Sequence, residues 1–161
     1  MIIKEIRIKN FRSYYGDNNS FEFTDGLSII VGDNGDGKTT LFEAIQWLLN
    51  TTADKSSVEL ISEMRKSQME VGDEDSVSVS MVFDHYGEKS VEKTFTFTKT
   101  ESGLSLGKVQ YIGYESDGIQ RVNVNGKTLI ERSYDTFIQR YSMFKGCLLY
   151  TSPSPRDPKT S

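Results

Sequence analysis

The sequence predicts an α/β fold in which a strand–loop–helix core carries an antiparallel β-subdomain. Three observations lead there. A continuous apolar run, "LSIIV" at 27–31, runs into a glycine-rich loop and then into apolar residues at helical spacing, the order of a buried strand feeding a helix. From residue 76 the hydrophobic period switches to two, as in half-buried strands. The length, 161 residues, suits one domain with its own core.

Each element follows from local pattern. In "IIKEIRIKNF", Ile6 and Ile8 alternate with Arg7 and Lys9, which predicts a half-buried strand over 3–11 ending at Phe11. "YYGDNNS" is a turn-rich break, and "FEF" reads as a short second strand. Asp25-Gly26 turns the chain into the apolar strand at 27–31. In "TTLFEAIQWLLN", Leu41, Ile45, Leu48 and Leu49 share a helical face, and a second helix is expected over 57–69 through Val58, Ile61 and Met64. The acidic "GDEDS" reads as a solvated loop.

Next, "SVSVSMVF" sets Val77, Val79, Met81 and Phe83 on one face, and "SVEKTFTFT" does the same with Val91, Phe95 and Phe97. "DHYGEK" suits the hairpin loop between them, and further strands are expected at 108–114 and 119–124. Asn125-Gly126 is a two-residue hairpin signal. "SYDTFIQRYSMFKG" then predicts a last helix striped by Phe137, Ile138, Tyr141 and Phe144. The domain so predicted spans 1–146, with its β-meander over about 76–130.

Composition narrows the function classes. A net charge of -4 gives no global basic footprint for nucleic acid, so any such contact is local or made elsewhere. No apolar run approaches a membrane span, and the charged N-terminus is no signal peptide. The one cysteine cannot form an internal disulfide, which suits a cytoplasmic protein without a membrane partner.

The motif that carries chemistry is "VGDNGDGKTT". Gly32, Gly37, Lys38 and Thr39 satisfy G-x-x-x-x-G-K-[ST] over 32–39, between a buried strand and a helix as the motif requires. Glycines let backbone N–H groups curl around phosphate oxygens, and the helix N-terminus adds unpaired donors and a positive dipole end. Lys38 supplies a cation for the β- and γ-phosphates, and the Thr39 hydroxyl can ligate a nucleotide-bound Mg²⁺.

The stretch "IKEIRIKNFRSYYG", followed by "FEFTDGLSIIVGDNGDGKTTLFEAIQWLL", resembles the N-terminal half of the SMC-like DNA-repair ATPases, among them the SbcC type, RecF, RecN and DndD. The shared marks are the strand ending in "NFRSY", the "GLSIIVG" strand, Asn34-Gly35 in the loop and "KTTLFEAI". They cover residues 1–50 closely and the meander by pattern. The resemblance implies an ABC-type ATPase head, here its N-terminal lobe, incomplete, using ATP and Mg²⁺ in the cytoplasm. Arg12, Asp33, Asn34, Gly35, Asp36, Gly37, Lys38, Thr39 and Thr40 would then form the ATP site, with Thr39 as the metal ligand. A guanidinium such as Arg12 suits phosphate bidentately.

Asp36 departs from the family, which has Ser or Ala there. Near a triphosphate it and Asp33 would each repel by about 1 kcal/mol at surface dielectric. Asp36 is therefore expected to tune the face offered to a partner head without abolishing binding. Other partners it implies are the protein's own C-terminal lobe, DNA, and a nuclease subunit. Double-strand-break repair, recombination or phage defence would be the setting.

An ABC head also needs an apolar strand ending in Asp-Glu and a Ser-Gly-Gly signature loop, and the sequence has neither. "SMVFD" is followed by His85 instead of Glu, and its alternating serines mark a hairpin strand. His85 has no ligand cluster in the sequence around it and reads as a turn residue. Those missing parts are expected in a C-terminal lobe beyond a coiled coil.

The composition changes abruptly at Cys147. The lone cysteine and the prolines Pro153, Pro155 and Pro158 all follow residue 146. "CLLYTSPSPRD" back-translates without a forced codon into the transposon-end adapter used to tag DNA for sequencing. Residues 147–161 are therefore expected to be a non-native, disordered tail, with the native segment ending near Lys145. Two rival readings stay open: a stand-alone P-loop phosphotransferase, and a nucleotide-binding module without turnover. The first would need clustered lid arginines after the first helix, where only Arg65 stands.

Overall fold

The computed structural model describes residues 2–17, 19–22, 36–51, 58–116, 118–133 and 136. The described chain runs β1 (Ile2–Lys9), β2 (Asn19–Glu22), α1 (Asp36–Leu49), a 3-10 turn (Val58–Leu60), α2 (Glu63–Gln68) and β3 (Glu74–Asp84). It continues through β4 (Glu88–Thr100), β5 (Gly103–Leu106), β6 (Gln110–Ser116), β7 (Arg121–Asn125) and α3 (Gly126–Arg132). Among the described residues the seven strands form one antiparallel sheet in the order β2-β1-β3-β4-β6-β7, with β5 also paired to β4. The 27–31 strand, and the predicted last helix apart from Ser133 and Thr136, lie outside the described residues, as does the whole tail.

Period-two patterning builds the sheet's inner face. Ile6 and Ile8 of β1, Val77, Val79, Met81 and Phe83 of β3, and Val91, Phe95 and Phe97 of β4 are all buried. Leu41, Ala44, Ile45 and Leu48 of α1 cover that face with Leu129 and Ile130 of α3. Burying each large apolar side chain stabilises by roughly 2 kcal/mol, so the sheet and α1 hold each other. The outer face carries the hydroxyls predicted by the alternation, Ser78 and Ser80 among them. No described helix is long and apolar enough to cross a membrane.

The structure departs from the sequence expectations in four places. A single helix over 57–69 does not form. Ser62 breaks it, because its side chain accepts the Arg65 N–H and so caps a separate α2. β5 has no counterpart among the expected strands. β5 and β6 lie along the same edge of β4, at Phe97–Thr100 and at Lys89–Thr94, with a break at 107–109.

Asn125-Gly126 does not turn a hairpin. Asn125 has φ -74° and its side chain accepts the Thr128 N–H, so the same two residues start α3. Asparagine serves both ends equally well, and the apolar Leu129 and Ile130 find the core only as a helix.

The acidic loop is the fourth departure. Glu74 and Asp75 belong to β3, and Asp75 is partly buried between Arg65 Nε at 2.6 Å and Lys9 Nζ at 3.2 Å. Burial disfavours its ionised form. The hydrogen bonds from Arg65, the Ser76 N–H and Lys9 outweigh that and hold the carboxyl below the usual range.

A folded-state pKa below the unfolded one stabilises above the unfolded value of about 3.9 and is lost as pH falls through the folded value. Glu92 acts oppositely, since burial raises its pKa and its ionisation opposes folding. Comparison with Asp75→Asn isolates the first contribution. The wild type should be more stable than the variant by about 1 kcal/mol at pH 7. That difference should shrink as pH falls below the usual carboxylate range and vanish once the pH has passed through the folded value, read by urea titrations. A gap that does not change with pH would refute the ion pair's contribution.

Candidate nucleotide site at the head of α1

The glycine-rich motif is divided by what the structure describes. Gly32, Asp33, Asn34 and Gly35 lie outside the described residues. The second half does not: Asp36 opens α1, and Gly37, Lys38 and Thr39 follow in its first turn, with Thr40 next. The first four N–H groups of a helix have no acceptor within it, and the macrodipole is positive there. The backbone donors of Gly37, Lys38 and Thr39 therefore fall at the helix start, where anions are favoured.

Arg12 is brought to the same helix. It lies just after β1 in the left-handed region, φ +49°, and its N–H donates to the Leu60 carbonyl at 2.8 Å. Its Nε sits 3.4 Å from Glu43 Oε1 on α1, with both side chains about 40% exposed (42% and 39%). Such a solvated pair is weak and easily exchanged for a stronger anion. Glu43 lies five residues beyond Lys38, which is about 7 Å along the helix axis.

Two further features set α1 in place. Phe11, buried beside Arg12, contacts the Trp47 ring at 5.8 Å, and Trp47 meets Phe95 edge-on at 6.0 Å. At the other end of α1 lies Lys93, fully buried on β4. Its Nζ donates to the carbonyls of Trp47 at 2.8 Å and Asn50 at 3.0 Å, and it faces the rings of Trp47 and Tyr111 at 4.6 and 5.2 Å. The last turn of α1 has no basic residue of its own, so the strand supplies the donor for its terminal carbonyls.

Of the residues expected from sequence, Arg12 meets α1 at Glu43, about two turns from the helix start, and Asp36–Thr40 are described as helical backbone. Sequence reasoning missed Asn10, Glu43 and Lys93. A signal for Lys93 was present, because it occupies an inward position of the 91–97 alternation, where a lysine needs acceptors. Among the described residues no group of three or more His, Cys, Asp or Glu side chains could hold a metal ion. Thr39 carries a hydroxyl of the kind that suits a magnesium ion arriving with nucleotide phosphates.

A family described as "AAA domain" matches residues 5–147 of the chain. The chain belongs to the AAA domain family. Within this AAA domain, 47 residues are 53% identical to the DNA replication and repair protein RecF of Tropheryma whipplei, covering 29% of the chain and 12% of RecF. Another 49-residue match, 45% identical, is to the DNA double-strand break repair Rad50 ATPase of Methanococcus maripaludis, covering 30% of the chain and 5% of that protein. The chromosome partition protein Smc of Rhodopirellula baltica is 27% identical over 88 residues, 53% of the chain and 7% of Smc. The matches thus span a small part of these relatives.

A solved chain from work on ATP-driven dimerization and DNA-stimulated activation of SMC ATPases shares the fold. Its TM-score is 0.53 at 18% identity, covering 96% of this chain and 93% of that one. The AAA domain therefore has the fold of an SMC ATPase head, within the P-loop NTPase class anticipated from the sequence.

Proposed function

We propose that this AAA domain binds Mg-ATP at the head of α1 and serves as the ATP-binding half of an ATPase acting on DNA, in double-strand-break repair, recombination or phage defence. The observation that carries this reading is the coincidence of Gly37-Lys38-Thr39 with the first turn of α1, with Arg12 held beside the same helix. Backbone N–H groups of 33–39 would cradle the phosphates, Lys38 and Arg12 would neutralise them, and Thr39 would meet Mg²⁺. The metal supplies charge neutralisation between the phosphates when bound.

Hydrolysis needs groups that residues 1–161 do not contain, the Asp-Glu strand and the signature loop. The chain alone would then bind nucleotide without turnover. A C-terminal lobe and a second head would complete the site, with ATP between the heads. The named functions of RecF, Rad50 and Smc support a DNA substrate. A nuclease subunit and a cytoplasmic setting belong to the same proposal.

Titration of the chain with Mg-ATP tests the reading. Lys38→Ala should weaken binding at least tenfold, the loss of one charge-assisted contact to phosphate, with an unchanged circular dichroism spectrum. Equal affinity in wild type and variant would overturn it. The phosphotransferase alternative is less well supported, because Arg65 is engaged by Asp75 and unavailable as a lid residue.

A further inference from the structure

Asn10 is 1% exposed, has φ +52°, and places all of its polar groups in hydrogen bonds. Its N–H donates to the Gly16 carbonyl at 3.0 Å, and its carbonyl accepts the Ser62 N–H at 2.8 Å. Its side-chain Oδ1 accepts the Gly16 N–H at 2.9 Å, and Nδ2 donates to the Ser76 carbonyl at 3.1 Å. One residue thus ties the end of β1 to the following loop, to the segment before α2, and to β3.

These bonds bear directly on Arg12. The Ser62 N–H to Asn10 carbonyl bond and the Arg12 N–H to Leu60 carbonyl bond flank the Phe11–Ile61 bridge, so 10–12 pairs with 60–62 as a short antiparallel rung. Left-handed residues stand on both sides of Phe11, at Asn10 and Arg12. Such backbone persists in residues other than glycine only where the surroundings fix it. Phe11 is then sent inward onto Trp47 while Arg12 is sent outward to α1.

We propose that Asn10 is a positioning residue, whose buried amide fixes the 10–16 loop so that Arg12 is presented along α1 to the phosphates of a bound nucleotide. This rests on the proposed role of Arg12 in the nucleotide site. Asn10 itself touches no ligand.

The test is a double-mutant cycle read by Mg-ATP affinity and by melting temperature, using Asn10→Gly, Arg12→Ala and their combination. Glycine keeps the positive φ available and removes only the side-chain bonds. Arg12→Ala should weaken binding about tenfold. Asn10→Gly should weaken it at least threefold when Arg12 is present and not at all when Arg12 is already alanine, while lowering the melting temperature equally in both backgrounds. A purely structural residue would lose the same factor in both backgrounds, and that result overturns the proposal.

Should the glycine variant not fold, Asn10→Asp repeats the cycle. It keeps the acceptor for Gly16 and loses the donor to Ser76. Lys38→Ala separates the two levels of inference. If Lys38→Ala weakens binding and Arg12→Ala does not, the nucleotide site stands and the Asn10 proposal falls. If neither weakens it, the nucleotide reading falls first.

Discussion

Lys93→Ala is expected to destabilise the domain by about 4 kcal/mol, the sum of a buried cavity and two carbonyls that lose their lysine donor. Melting would drop by roughly 10 °C for a domain of this size. The reasoning is local. The carbonyls of Trp47 and Asn50 end α1 inside the protein, where losing a charged donor costs more than at the surface. Tyr111 Oη also donates to the Asn50 carbonyl at 3.1 Å and the Asn50 N–H to the Trp47 carbonyl at 3.3 Å, so each group keeps a partner in the variant and loses only its charged one. Lys93→Met separates the two contributions, because methionine fills much of the lysine stem's space and offers no donor. It should lose about half as much. A methionine variant as stable as wild type would show that the donor contributes nothing.

Gly126→Ala is expected to cost about 2–3 kcal/mol, for a steric reason. A Cβ at Gly126 would meet the backbone C, O and N of Ile112 at 2.8, 2.8 and 2.9 Å. Backbone cannot rotate aside as a side chain can. Either β6 or α3 must move, and α3 carries the buried Leu129 and Ile130. Gly113 opposes it, and a Cβ there would lie only 2.9 Å from the Gly126 Cα, so the two glycines permit the helix to close on the strand.

Gly118→Ala provides the contrast. Gly118 has φ +95° with open space around its Cβ position, so its cost is conformational alone, about 1 kcal/mol. Urea midpoints for the two variants decide the matter. If Gly126→Ala loses no more than Gly118→Ala, the close approach is not what fixes that glycine.

What could be read from the sequence was whatever one period controls. The strands β1, β3 and β4 and the body of α1 each bury one face, so alternation or helical spacing announces them. Asn125-Gly126 was legible only as a break in the chain. A cap and a tight turn use the same residues, and the choice was made by Ile112 and by the core beyond, which are remote in sequence. β5 and β6 divide one return path because of contacts along β4 at 97–100 and 89–94, which no window of sequence contains.

The proposed site was legible in its chemistry and less so in its support. Lys38 and Thr39 are proposed from residue type and spacing, and Arg12 from the family resemblance. Asn10 and Lys93 act through backbone groups of distant segments, and backbone partners leave no mark in the sequence.

The pairing of β1 directly with β3 has a topological consequence. Everything between Lys9 and Glu74, including the phosphate loop and α1, is a single excursion inserted between two neighbouring strands. Asn10 and Ser76 close its mouth with one hydrogen bond. The entropy of closing such a loop grows only with the logarithm of its length, about 0.6 kcal/mol for each doubling. The parts of the excursion outside β2 can therefore lengthen or shorten in the course of evolution without disturbing the register of β1 on β3. The loops of the excursion are free to vary while the strands that carry it are not.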